Sequence, residues 1–210
     1  MRRNPPAAFT LIELLVVIAL IGILVGLAVP SLFYVYERAR KIQAKNDLTQ
    51  TITAVNAFYT DYGRYPLPSG TTTDYIYGPA GPNTNDALFN ELRACNAANP
   101  AVLDCSANAT LNTRLIVYLS PRVLGTTPAR SGIGSNGQYY DPWQTAYNVE
   151  IDGDYNNQIT NSYPITDTGA GTNLLPFGVI GWSWGKDQTP GTKSPASPNY
   201  SGSDDVISWQ

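Results

Sequence analysis

The chain of 210 residues has no histidine. That removes the commonest proton shuttle and the imidazole that a Ser–His–Asp or Cys–His arrangement needs. It has two cysteines, Cys95 and Cys105, too few without histidine to make a zinc centre. Neither lies in a basic context, and Ser183 sits in Trp182-Ser183-Trp184-Gly185, not in a nucleophile elbow. Charge is scarce too, at 14% of residues with a formal net charge of −3. No basic patch is large enough to suggest nucleic acid as a partner. The chain is therefore expected not to be an enzyme and to have no catalytic residues. Glycine and proline, at 18 and 16, are plentiful, and the composition reads as loop-rich and extracytoplasmic.

One long apolar run stands against this background. Residues 9–29 read FTLIELLVVIALIGILVGLAV and carry one acid, Glu13, and no other charge. A helix of this length is about 31 Å long at ~1.5 Å per residue. That matches the roughly 30 Å hydrocarbon core of a bilayer, so the run is expected to span a membrane once. Residues 1–8 form a short polar leader with Arg2 and Arg3. A secretory signal peptide places its small residues after the apolar core, but here Ala7 and Ala8 come before it. Cutting there leaves the apolar run on the mature protein. A carboxylate inside a spanning helix costs about 2.5–3.5 kcal/mol. Glu13 either reaches the interface or has a partner.

The basic cluster Arg38, Arg40, Lys41 and Lys45 reads as a solvated helix face, with lipid headgroups as an alternative contact. Gly22, Gly26 and Pro30 mark a bendable region, and helical patterning resumes over residues 31–62. Ala44, Leu48, Ile52, Val55 and Tyr59 recur at helical spacing and predict a stripe buried against a sheet. Gly63 reads as the residue just past the helix, and Pro66 prevents its resumption. Beyond a loop over 67–83, Thr84 or Asn85 is expected to cap a short helix reaching Arg93. Residues 94–109 hold both cysteines and look like an insertion, with a disulfide or two thiols as the alternatives. A second short helix is expected over 111–119, a loop over 120–138, and strands over 146–151 and 174–184. Asp152, Asp154 and Asn156 alternate as in a calcium loop, but the glycine is misplaced and no Glu closes it. Asp152-Gly153-Asp154 is therefore read as a hairpin turn.

The last loop is rich in Pro, Ser and Gly and has little with which to build a core. Asp204 and Asp205 are adjacent and repel unless a cation or donors compensate. Calcium takes six to eight oxygens from carboxylates and carbonyls. Asp187, Asp204 and Asp205 would meet that need. The alternative is a solvated acidic tail with Trp209 packed on the sheet.

Ala8-Phe9-Thr10-Leu11-Ile12-Glu13-Leu14-Leu15-Val16-Val17-Ile18 closely resembles the class III signal of type IV pilins and pseudopilins. Asp61-Tyr62-Gly63-Arg64-Tyr65-Pro66 resembles the D-x-G-x-Y-P of the major pseudopilins of type II secretion. Asp141-Pro142-Trp143 resembles their D-P-W-G-x-P-Y, without its Gly and second Pro. Ser183-Trp184-Gly185-Lys186-Asp187 and Asp204-Asp205-Val206-Ile207-Ser208-Trp209 resemble the two ends of their calcium loop. The resemblance covers residues 7–66, 141–151 and 177–209.

The resemblance implies an α+β pilin-like fold, with a long amino-terminal helix on a small antiparallel sheet and a carboxy-terminal metal-binding loop. The implied divisions are a cleaved leader at 1–8, an assembly helix at 9–30, its amphipathic half at 31–63 and a periplasmic head at 64–210. A prepilin peptidase would cut between Ala8 and Phe9 and methylate the new amine. Glu13 would pair with the Phe9 amine of a neighbouring subunit, and Pro30 matches the family's habitual proline. Calcium would be held by Asp187, Asp204 and Asp205 through side chains and by Trp184 and Ser203 through carbonyls. The disulfide would join Cys95 and Cys105. Implied partners are copies of the chain in a helical filament, minor pseudopilins, the inner-membrane assembly platform and lipid before assembly. The implied place is the bacterial inner membrane, with the head in the periplasm and the assembled form a periplasmic pseudopilus. A pilin of a surface filament, used for adhesion, motility or DNA uptake, has the same amino-terminal helix and is the alternative. An anchored binding protein that never polymerises would need neither Glu13 nor this leader.

Overall fold

The structure, a computed structural model, describes residues 10–96, 105–125, 131–163, 168–191 and 199–210, without the side chains of 27–31 and 168. The Ala8–Phe9 junction and the side chain of Pro30 lie outside the described residues. Helix α1, Leu11–Tyr62, runs without interruption for 52 residues. Gly63 follows it with φ +66°, the left-handed conformation in which glycine ends helices, and its N–H bonds the Tyr59 carbonyl at 2.8 Å. The chain divides into two compact units, Met1–Arg40 and Lys41–Gln210. This division falls inside α1, because burial of helix side chains in the head core starts at Ala44.

In the first unit the apolar side chains from Leu11 to Val25 are exposed all round the helix, as are those of Leu32, Phe33 and Val35. Among the described residues no helix is long and apolar enough to cross a membrane. Described side chains of the apolar run span residues 11–26.

The second unit builds a four-stranded antiparallel sheet in the order β1 (Tyr75–Tyr77), β5 (Asn148–Ile151), β8 (Val179–Ser183), β9 (Val206–Ile207). Between β1 and β5 the chain forms helix α2 (Asp86–Leu92), then β2 (Val123–Gly125), β3 (Gly132–Gly134) and β4 (Tyr139–Tyr140), which make a second sheet. Strands β6 (Ile159–Thr160) and β7 (Leu174–Leu175) pair with each other. Successive side chains of a strand point to opposite faces. Val149 and Ile151 therefore meet Leu48, Val55 and Phe58 of α1 in one core. Ile180, Trp182 and Ile207 meet Ile159, Tyr163 and Leu175 in another. Both faces of the sheet are buried. At Gly181 the helix comes so close that an added Cβ would stand 3.1 Å from Leu48 Cδ2.

Several expectations are corrected. The helix stripe runs through Ala44, Leu48, Val55 and Phe58, while Tyr59 is 39% exposed and stacks on Tyr65 at 4.5 Å. With the buried Thr51 the steps are four, three, four and three, so the buried face turns past Tyr59. Residues 111–119 form no helix. The Glu91 carboxylate takes the N–H groups of Thr110, Leu111 and Asn112, and Leu115 adopts φ +51°. The loop over 120–138 contains β2 and β3. The single strand over 174–184 is two, β7 and β8, in different sheets, separated by Pro176-Phe177-Gly178. Asn85 is the N-cap residue of α2 but makes no side-chain cap. Its amide instead donates to the Tyr139 and Tyr147 carbonyls and accepts the Tyr139 N–H, all within 3.0 Å. Cys95 and Cys105 are joined by a disulfide, with Cα atoms 5.7 Å apart.

Candidate functional site

Glu13 lies in the first turn of α1, and its partner there is Thr10. Glu13 Oε2 accepts the Thr10 N–H at 2.9 Å and the Thr10 hydroxyl at 2.8 Å. Thr10 Oγ1 accepts the Glu13 N–H at 3.3 Å. This is a capping box, which satisfies helix-start donors reciprocally and places negative charge where the helix dipole favours it. Its signal is the T-x-x-E of residues 10–13.

The carboxy-terminal acids do come together. One carboxylate oxygen from each of Asp187, Asp204 and Asp205 lies within 4.8 Å of the others. The chain leaves β8 and reverses at Gly185, whose φ is +68° and where an added Cβ would strike the Asp204 carbonyl at 2.5 Å. Asp204 Oδ2 accepts the N–H groups of Lys186 and, at 3.1 Å, Asp187. Asp205 is 4% exposed. Its Oδ2 accepts the Tyr163 hydroxyl at 2.5 Å and the Gly191 N–H at 2.8 Å, while its Oδ1 is buried with no donor. Burial, opposed by those hydrogen bonds and aided by Asp204 and Asp187, pushes its pKa up to about 6. An orphan carboxylate oxygen beside two further carboxylates suits a hard, oxygen-seeking cation such as calcium. Ser203 accepts the Asp205 N–H through its hydroxyl at 3.3 Å, and Trp184 packs against the second core. Trp209 donates its indole N–H to the Ala170 carbonyl at 2.7 Å.

Asp141 supports this loop from a distance in sequence. Its Oδ1 accepts the N–H groups of Trp143 and Thr145 at 2.8 and 2.9 Å, and its Oδ2 accepts the Ser183 hydroxyl at 2.5 Å. Gln144 takes φ +75°, the conformation a glycine would adopt freely. The turn thus keeps a left-handed residue without the glycine. Lys45 ties the chain end to the helix, donating to the carbonyls of Ile207 at 2.8 Å, Ser208 at 3.1 Å and Gln210.

A second carboxylate cluster joins Asp74, Asp152 and Asp154, again with oxygens within 4.8 Å. Residues 152–154 do not form a hairpin. Strand β5 pairs with β1 and β8, and β6 pairs with β7, so the intervening chain crosses from one sheet to another. Glu150 lies beside this loop, and burial, with the nearby Asp74 charge, pushes its pKa up to about 8.

Residues 3–29 match the prokaryotic N-terminal methylation motif. The type IV major pilin protein PilA of Myxococcus xanthus is 40% identical over 65 residues, covering 30% of each chain. The type II secretion system core protein G of Klebsiella michiganensis is 33% identical over 82 residues, 39% of this chain and 58% of that one. The fimbrial protein EcpC of Eikenella corrodens is 26% identical over 150 residues, 71% of this chain and 88% of that one. The matches to the first two relatives thus span about a third and just over half of those relatives' lengths. No solved structure gives a significant match. The chain thus carries the methylation motif and is similar, over part of its length, to a type IV pilin and to a type II secretion core protein G.

Proposed function

We propose that this chain is the repeating subunit of a type II secretion pseudopilus, polymerising through α1 to drive protein export across the outer membrane. One conjunction carries this reading. A methylation-motif helix similar to that of secretion core protein G stands before a head whose last loop closes on an acidic cluster.

In this reading a prepilin peptidase cuts between Ala8 and Phe9, methylates the new amine and leaves it about one helical turn from Glu13. Before assembly the capping box with Thr10 keeps the Glu13 carboxylate hydrogen-bonded in the inner membrane. On assembly the charge pairs with the Phe9 amine of a neighbouring copy. The exposed apolar side chains of the stem are covered by lipid first and by neighbouring stems afterwards. The head stands in the periplasm, and minor pseudopilins and the inner-membrane assembly platform are the other partners. Calcium is held by the side chains of Asp187, Asp204 and Asp205 and by the carbonyls of Trp184 and Ser203. When bound, it offsets the repulsion of three carboxylates and orders the terminal loop.

The first test is the culture medium of a strain lacking this gene. Loss of specific folded exoproteins from the medium, with their accumulation in the periplasm, is the expected result. An unchanged exoproteome would overturn the reading. A surface pilus is the second reading, favoured by the fimbrial relative matched along 88% of its length. It predicts missing filaments, twitching or DNA uptake instead. For calcium, the full-length protein in detergent should melt at a lower temperature after chelation and recover on adding calcium. No change at saturating calcium would overturn the site.

A further inference from the structure

We propose that Asp74, Asp152 and Asp154, with the buried Glu150 beside them, form a second binding site for a calcium-class divalent cation, at the loop between β5 and β6. It is separate from the carboxy-terminal cluster and does not depend on that site being occupied.

The placement starts from the strand register. Tyr75 pairs with Ile151, so Asp74 lies across from Asp152, at the end of β1. Alternation along a strand puts Glu150 and Asp152 on one face of the sheet, and Ile76 and Asp74, along the β1 side, on the same face. Asp74, Asp152 and Asp154 each bring an oxygen within 4.8 Å of the others. Among the described residues none of the four acids forms an ion pair.

Glu150 is the independent observation. It is 5% exposed, outside the group of three, and its Oε2 is buried with no hydrogen-bond donor. The β1–β5 register and the alternation along β5 put it on the same face as Asp152 and Asp74. Asp74 Oδ1 is likewise buried without a donor. Buried carboxylate oxygens without donors are costly, and like charges side by side add to the cost. A divalent cation held by the group of three would take the orphan Asp74 oxygen as a ligand and offset the negative charge beside Glu150.

The loop has the matching form. Calcium loops take ligands from the first, third and fifth positions and need a left-handed residue at the sixth. Here those positions are Asp152, Asp154 and Asn156, and the sixth is Asn157 with φ +59°. The glycine of the usual pattern is replaced by an asparagine, which tolerates this conformation. The closing acid comes from Asp74 in place of a downstream Glu. Gly153 allows the approach, since a Cβ there would stand 2.0 Å from the Thr73 carbonyl oxygen. All the donors are oxygens, which selects a hard cation, and a loop of carboxylates and carbonyls suits calcium better than magnesium with its strict octahedral demand. Cation binding would brace the loop that carries Tyr155, whose ring stacks on Tyr65 at 5.6 Å and whose hydroxyl accepts the Tyr65 N–H at 3.2 Å.

The test is calcium titration by calorimetry of the full-length protein in detergent, stripped of metal beforehand. Asp154 is exposed, so Asp154→Asn removes a ligand without opening a core. In an Asp204→Asn background, which disables the other cluster, one calcium per chain is expected to remain. Adding Asp154→Asn should weaken that binding by about tenfold or more, and Asp74→Asn should do the same. Failure of the Asp204→Asn protein to bind calcium would overturn the proposal. So would binding that Asp154→Asn and Asp74→Asn both leave unchanged. Separately, a single calcium abolished by Asp204→Asn would leave the carboxy-terminal site standing and exclude this one.

Discussion

Helix α1 is one continuous element with two opposite halves. Over residues 11–26 and 32–35 its apolar side chains are exposed, with Leu11 at 82% and Phe33 at 69%. From Ala44 onward a single stripe is buried, with Ala44, Leu48, Val55 and Phe58 at 0%. The backbone geometry is the same, so the difference lies in what the side chains meet. The second half has its sheet in the same chain. The first half finds no such cover within its own unit. Contiguous exposed apolar surface on this scale marks a membrane or a protein partner. One half of the helix is therefore read as serving assembly and the other as holding the head.

The contrast can be broken most strongly at Glu13. Glu13→Gln keeps an acceptor for the capping box and removes the charge, whereas Glu13→Ala removes both. If assembly depends on charge pairing, both variants accumulate normally yet give about tenfold fewer filaments, counted by electron microscopy or shearing yield. Normal assembly of Glu13→Gln beside failure of Glu13→Ala would assign the residue to helix capping alone.

Paired phenylalanines sharpen the contrast next. Phe58→Ala is expected to destabilise the head by about 3–5 kcal/mol, because it empties a buried site. Phe33→Ala, at an exposed site, is expected to change it by less than about 0.5 kcal/mol. Urea unfolding of the full chain in detergent, followed by tryptophan fluorescence, reads both. Equal effects would break the division of the helix.

A smaller effect is expected at Lys45, whose ammonium joins the buried half to the carbonyls after β9. Burial holds its pKa below the usual lysine value. Lys45→Met should lower stability by about 1–3 kcal/mol by leaving those carbonyls unpaired. A change within measurement error would show that the tie contributes nothing.

The smallest is a pH slope. Burial raises the pKa of Asp141, despite hydrogen bonds from Ser183, Thr145 and Trp143 that lower it. Between the ordinary carboxylate value and the raised one, the folded chain holds more protons than the unfolded chain. Stability therefore falls as pH rises through that window. Asp141→Asn should flatten this part of the profile of urea midpoint against pH. An unchanged slope would exclude Asp141 as its source.

Much of this molecule was legible where the physics is local. The apolar run, the amphipathic second half and the helix end at Gly63 follow from periodicity and from the conformational freedom of glycine. The capping box was legible too, since Thr10 and Glu13 lie within one turn. The three carboxy-terminal acids could be named from a short motif. Other features depended on partners far along the chain. Phe58 displaced Tyr59 from the core because the sheet's position sets which side of the helix is covered. Residues 110–112 gave up a helical start because Glu91 takes their amides. The turn at Asp152 became part of a carboxylate cluster because β1 brings Asp74 alongside. Sequence by itself determined where the chain is helical, apolar and acidic, because those properties act over a few residues. Tertiary structure alone decided which side chains are buried and which acids meet, because strand pairing joins residues that no local pattern connects.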